Sequence, residues 1–71
     1  MKNLLDVDNL DVMAFNMYVI SRLSKDRAKS LKENNGNEEL ISVMQQIGEV
    51  SERISEKAEL LQLLLNVENE N

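Results

Sequence analysis

The cationic side chains in the first half of the chain have a spacing that suits anion binding. Arg22, Lys25, Lys29 and Lys32 recur at intervals of 3, 4 and 3 residues, so a helix places them on one face, with Tyr18 one turn earlier. We call these five residues the basic strip. A strip of this kind can contact the phosphates of RNA, DNA or a small phosphorylated ligand such as a nucleotide.

A second interpretation is that the basic strip only pairs with carboxylates elsewhere in the same chain. Residues 1–36 carry six basic and five acidic side chains, whereas residues 37–71 carry two basic and eight acidic ones. Cations are also favoured near the C-terminus of a helix, where the backbone dipole is negative. The charge asymmetry therefore favours pairing between the two halves, and anion binding is the alternative.

Other chemistry is poorly represented in the sequence. The chain has no His and no Cys, so it lacks the usual general base, the most readily activated nucleophile and the ligands of a zinc site. Asp6, Asp8 and Asp11 resemble a calcium loop only superficially, because Asp11 stands where that loop requires Gly and Met17 where it requires Glu. We expect a protein that is not an enzyme, with no catalytic residue, no cofactor and no metal.

The elements that position these residues are predicted to be two helices. Residues 33–37, Glu-Asn-Asn-Gly-Asn, form the one strong breaker cluster, and the chain has no Pro. We predict that Gly36 takes the left-handed conformation that ends a helix and that Asn37 caps the next helix. The prediction is one all-α domain over residues 1–71: helix 1 at about 9–33, a turn at 34–37, helix 2 at about 38–66, and frayed termini. A short turn between long helices makes them an antiparallel hairpin.

Apolar residues at helical spacing predict which faces meet inside the hairpin. Both helices carry a stripe at intervals of mainly 3 and 4 residues, as in a coiled coil. We expect the two stripes to face each other. They are Leu10, Met13, Met17, Ile20, Ala28 and Leu31 in helix 1, with Ser24 and Arg27 as weaker positions, and Leu40, Val43, Ile47, Val50, Ile54, Ala58, Leu61 and Leu65 in helix 2.

A further apolar set lies off both stripes and maps to the end of the hairpin away from the turn. We call it the distal cluster: Val12, Phe15, Val19, Leu23, Leu60, Leu63, Leu64 and Val67. A two-helix hairpin buries only one face of each helix, so this set predicts an exposed surface larger than a soluble monomer normally shows. We expect it to be the interface with a partner protein or with a second copy, most simply a homodimer that forms a four-helix bundle.

Net charge and the length of the apolar runs bear on partners and location. The net charge of −5 disfavours non-specific binding to nucleic acid or to anionic lipid. No apolar run approaches the ~20 residues that span a bilayer, and residues 1–6 lack the apolar core of a signal peptide. We therefore expect a cytoplasmic protein without a membrane partner. Its predicted role is that of a small regulator, inhibitor or adaptor acting by protein–protein interaction, of a size typical of accessory proteins of a phage or mobile element.

Overall fold

Two α-helices packed side by side make up the part of the chain that the structure, a computed structural model, describes. The backbone is described for residues 7–70 and the side chains for residues 9–68. Helix α1 is Val7–Glu33 and helix α2 is Glu38–Glu70, and no strand occurs between residues 7 and 70. Contacts between residues far apart in sequence, such as Lys25 with Glu52 and Ala14 with Ser55, show that the helices are antiparallel. The predicted all-α hairpin is confirmed.

Both helices extend further toward the chain ends than the sequence predicts. Helix α1 begins at Val7 rather than near Asn9, and α2 continues to Glu70 rather than ending near residue 66. Val7 and residues 68–70, which were expected to be frayed, are helical in the structure. Residues 1–6 and 71, which were also expected to be frayed, lie outside the described residues.

The turn between the helices uses its residues differently from the prediction. Asn35, not Gly36, has the positive φ of 58°, and its N–H donates to the carbonyl of Lys32. The N–H of Gly36 donates to the carbonyl of Leu31 at 2.6 Å, which completes the six-residue loop of a Schellman motif. Asn is the residue after Gly that best tolerates this conformation. Gly36 is needed for a different reason: a Cβ there would lie 2.9 Å from the Leu31 oxygen.

The start of α2 agrees with the prediction. The side-chain oxygen of Asn37 accepts a hydrogen bond of 3.1 Å from the backbone N–H of Leu40. This is the N-cap geometry, in which a side chain takes one of the backbone donors that the first turn leaves free. Glu38 and Glu39 lie in that first turn, where the positive end of the helix dipole favours carboxylates.

Small side chains line the interface between the two helices. The buried positions follow intervals of 3 and 4 residues or their sums in both helices, and most are Ser, Ala or Gly. No buried side-chain nitrogen or oxygen among the described residues lacks a hydrogen-bond partner. The buried residues are Leu10, Ala14, Ser21, Ser24 and Ala28 in α1, and Gly48, Ser51, Ser55 and Ala58 in α2.

The predicted aliphatic stripe of α2 therefore lies beside the closest contact between the helices and is only about half buried, apart from Ala58. Leu40, Val43, Ile47, Val50 and Ile54 keep between 40 and 51 per cent of their surface exposed. The reason is that α2 carries a second series at the same intervals, one residue further on, built of small residues. Small residues let two helix backbones approach closely, and α1 presents a matching set. Leu10, Ala28 and Ala58 are buried as predicted, whereas Met13 and Ile20 are partly exposed.

Candidate protein-interaction surface

One side of the hairpin carries a continuous row of large aliphatic side chains, which we call the aliphatic flank. Three neighbouring grooves run along it. Val43 lines both the first groove from the turn and the middle groove, and Val50 lines both the middle groove and the groove furthest from the turn. Met13 of α1 lines the groove furthest from the turn, and Ile20 lies two turns further along the same face of α1. The members of the aliphatic flank are Met13, Ile20, Leu40, Val43, Ile47, Val50, Ile54 and Leu61.

The aliphatic flank is exposed because the hairpin is only one helix thick. The molecule extends 54 × 22 × 14 Å, and its radius of gyration is 15.8 Å against about 11 Å for a compact chain of this length. The chain exposes 5753 Å² of surface. A compact 8.1 kDa monomer exposes about 4,500 Å². The excess of about 1,200 Å² is more than the ~800 Å² that one partner buries in a typical protein–protein interface.

The energetic consequence is that the hairpin alone leaves much of its hydrophobic side-chain surface exposed. Complete burial of a Val, Leu or Ile side chain contributes about 1.5–3 kcal/mol, whereas Ser and Gly contribute almost nothing. Leu10 is the one large aliphatic side chain among the described residues that is fully buried. A large part of the apolar free energy available to this sequence is therefore still to be gained on the exposed surface.

Charged side chains border the aliphatic flank, and their sign changes from one end to the other. Glu39 borders the groove nearest the turn, beside Leu40 and Val43. Arg53 and Lys57 border the groove furthest from the turn. None of these three charges has an ion-pair partner among the residues that the structure describes.

The opposite side of the hairpin, which we call the charged flank, brings the basic strip against carboxylates of α2. Lys25 Nζ donates a 2.5 Å hydrogen bond to Glu52 Oε2, and both side chains are about half exposed. This hydrogen bond, together with the positive charge of Lys25, holds the pKa of Glu52 below its ordinary value of 4.5. Tyr18 lines a groove with Asp11, Phe15 and Glu59. Arg22, Lys29 and Lys32 are exposed.

The distal cluster is exposed, apart from Val19, which is half-buried, but it does not form one patch. Val12 is two residues from both Leu10 and Ala14, which face inward. Residues two apart on a helix point in nearly opposite directions, so Val12 points away from α2. Leu60 points away from α1 for the same reason. Phe15 borders the charged flank, whereas Leu64 continues the row of Leu61 on the aliphatic flank. The cluster surrounds the half of the hairpin that lies away from the turn.

Comparison with protein-family models, with curated protein sequences and with solved structures gives no match to this chain. Between residues 7 and 70, neither helix has an apolar stretch long enough to cross a membrane. The described residues also contain no group of three or more acidic side chains placed to hold a metal ion.

Proposed function

We propose that this protein is a small, non-enzymatic regulator, inhibitor or adaptor of the cytoplasm that acts by protein–protein interaction through its apolar helical surface. The observation that carries the proposal is the inverted distribution of side chains in α2. Ser, Ala and Gly are buried against the other helix, while Leu40, Val43, Ile47, Val50 and Ile54 lie beside them and keep 40 to 51 per cent of their surface exposed. Contiguous exposed apolar surface of this extent is typical of binding sites.

The basic strip supports the alternative function, binding of nucleic acid or a small phosphorylated ligand, less well. Lys25, at the middle of the strip, is already paired with Glu52. By their spacing, Glu49, Glu56 and Glu59 lie on the same side of α2 as Glu52, so their negative charge repels a phosphate approaching this flank.

The test is affinity capture from host cells with the full chain as bait, comparing matched variants. Leu63→Asp and Ile47→Asp each place a charge on exposed apolar surface, whereas Lys29→Glu alters the basic strip. We expect a specific protein prey that at least one Asp variant loses and Lys29→Glu retains. Nucleic acid in the eluate, or a prey lost only with Lys29→Glu, would contradict the proposal. The helix content of each variant, measured by circular dichroism, excludes loss of folding as the cause.

A further inference from the structure

The aliphatic side chains of the flank between Leu40 and Ile54 are arranged almost symmetrically about Ile47. Leu40 and Ile54 are each seven residues from Ile47, and Val43 and Val50 are four and three residues from it. An antiparallel copy of α2, placed with a two-fold axis at Ile47, therefore aligns Leu40 with Ile54 and brings Val43 within one residue, about 1.5 Å along the helix, of Val50. Each of these five side chains then lies close to an aliphatic side chain of the copy.

The charges that border the aliphatic flank fit the same arrangement. With a rise of 1.5 Å per residue, the axis at Ile47 places Glu39 level with position 55 of the copy, about 3 Å along the axis from both Arg53 and Lys57. The uncharged Gln46, which lines the middle groove, lies next to the axis, where it meets itself. The acidic end of each aliphatic flank thus faces the basic end of the other.

From these two observations we propose that the aliphatic flank binds a second copy of this chain, with the two α2 helices antiparallel across a two-fold axis at Ile47. The inference rests on the proposed function, because both require the exposed apolar surface to be a binding surface. It names the occupant of the aliphatic flank as a second copy.

Other arrangements of two copies fit the residues less well. A parallel pairing sets Glu39 against Glu39 and Arg53 against Arg53, which are repulsive contacts. An axis moved two turns toward the C-terminus, to Ile54, brings Arg53 close to its own copy. It also places Glu39 level with position 69 of the copy, about 18 Å along the helix from Lys57, so the attractive contact at the border is lost. The arrangement about Ile47 avoids both defects.

The area of the overlap reaches the lower end of the range for a specific dimer. Helix α2 begins at Glu38, nine residues before Ile47. Two antiparallel copies of α2 therefore overlap over about 18 residues, or about 27 Å. With the hairpin width of 22 Å, this gives a footprint of about 600 Å² on each copy. A specific interface buries about 600–1,000 Å² on each side. The overlap leaves Leu60, Leu63, Leu64 and Val67 outside, so these residues stay accessible to another protein.

Disulfide cross-linking tests the position and direction of this pairing, because the chain contains no Cys of its own. Ile47→Cys places the two thiols at the axis, within the ~7 Å between Cα atoms that a disulfide requires. Glu49→Cys is the matched control, because a side chain two residues beyond Ile47 on the helix points away from the aliphatic flank. We expect Ile47→Cys to give most of its protein as cross-linked dimer under mild oxidation, and Glu49→Cys at least ten-fold less.

The direction of the helices is tested with Leu40→Cys and Ile54→Cys. We expect neither variant to cross-link efficiently alone, and the mixture to form the mixed disulfide. Efficient cross-linking of Leu40→Cys with itself would overturn the antiparallel pairing.

A charge exchange tests the border contacts without touching the apolar seam. Glu39→Lys and the double variant Arg53→Glu with Lys57→Glu each create like-charge contacts in a homodimer. Their mixture restores two attractive contacts. We expect the dissociation constant of each variant alone to rise five- to ten-fold at low salt, and that of the mixed dimer to return to within two-fold of the wild-type value. Equal dissociation constants for all of these samples would overturn the proposed register.

Failure of this inference is distinguishable from failure of the proposed function. A chain that stays monomeric, or one that cross-links through Leu63→Cys but not Ile47→Cys, overturns the pairing at Ile47. Capture of a protein prey that depends on Leu63 would still support the proposed function in either case. If Ile47→Cys cross-links as expected but no captured protein depends on Leu63 or Ile47, the result would contradict the proposed function and leave the pairing at Ile47 intact.

Discussion

Ser55 Oγ donates a 2.8 Å hydrogen bond to the backbone carbonyl of Ala14 across the interface between the two helices. Both residues are buried, and their sequence positions differ by 41. A hydroxyl reaches a backbone carbonyl of the other helix only where the backbones approach closely, so this contact depends on the small residues around it. It also fixes which face of α2 is turned inward, and therefore which face carries the aliphatic flank.

Ser55→Ala is expected to lower the free energy of unfolding by about 1 kcal/mol, because one buried hydrogen bond is lost and no cavity is created. Ser55→Leu is expected to cost more, since the interface has no room for a large side chain. Urea unfolding followed by circular dichroism measures both, at one fixed protein concentration because self-association stabilises the folded chain. Ser42→Ala, on the exposed surface, is the control. A Ser55→Leu variant as stable as wild type would show that this face of α2 is not inward.

Substitutions in the turn are expected to separate the roles of Asn35 and Gly36. Asn35→Ala should lower the free energy of unfolding by about 1 kcal/mol, because Ala tolerates a positive φ poorly, and Asn35→Gly should not lower it. Gly36→Ala should also be destabilising, since its Cβ would press on the Leu31 carbonyl. Thermal unfolding measures all three variants. A destabilising Asn35→Gly together with a neutral Gly36→Ala would contradict this assignment.

The acid dependence of stability is expected to include a contribution from Glu52. Because the pKa of Glu52 is lower in the folded chain than its ordinary value, the contribution is present above pH 4.5 and is lost as the pH falls through the folded-state value. A carboxyl-resolved NMR titration should place the midpoint of Glu52 below 4.5 in wild type. Lys25→Met should return the midpoint toward the ordinary value, and Lys29→Met should not. An unchanged midpoint in Lys25→Met would contradict the pairing.

The basic strip is expected not to act as a phosphate site. Fluorescence anisotropy with labelled RNA, DNA and a nucleotide should detect no salt-sensitive binding at micromolar protein. Lys29→Glu should leave self-association unchanged. A sub-micromolar affinity that falls steeply with salt and is lost in Lys29→Glu would favour the alternative function.

The two helices were predictable because their signals are local. Asn37 caps α2 as its type and position indicate, and the apolar spacing of 3 and 4 residues is that of a helix. The interior of the hairpin was not predictable from apolar spacing alone. The apolar spacing is set by large residues such as Ile47, whereas the helices meet at Gly48, Ser51 and Ser55. The signal was in the sequence, as a series of small residues at the same intervals, one residue further along.

The choice of Asn35 over Gly36 for the positive φ was also beyond a residue-type argument. Both residues tolerate this conformation, and the decision depends on where the chain must pass Leu31. The exposed surface follows from the same packing choice. The distal cluster could be located by residue type and spacing, but its division around the hairpin depends on which faces of the helices meet.

The most direct test of the central claim is sedimentation equilibrium of the full chain over a range of micromolar concentrations, with Ile47→Asp and Lys29→Glu run alongside. The claim is that the outward aliphatic row of α2 is a binding surface for a second copy. It predicts a dimer of twice 8.1 kDa for wild type and Lys29→Glu, and a folded monomer for Ile47→Asp. A wild-type chain that sediments as an 8.1 kDa monomer at every concentration would contradict it.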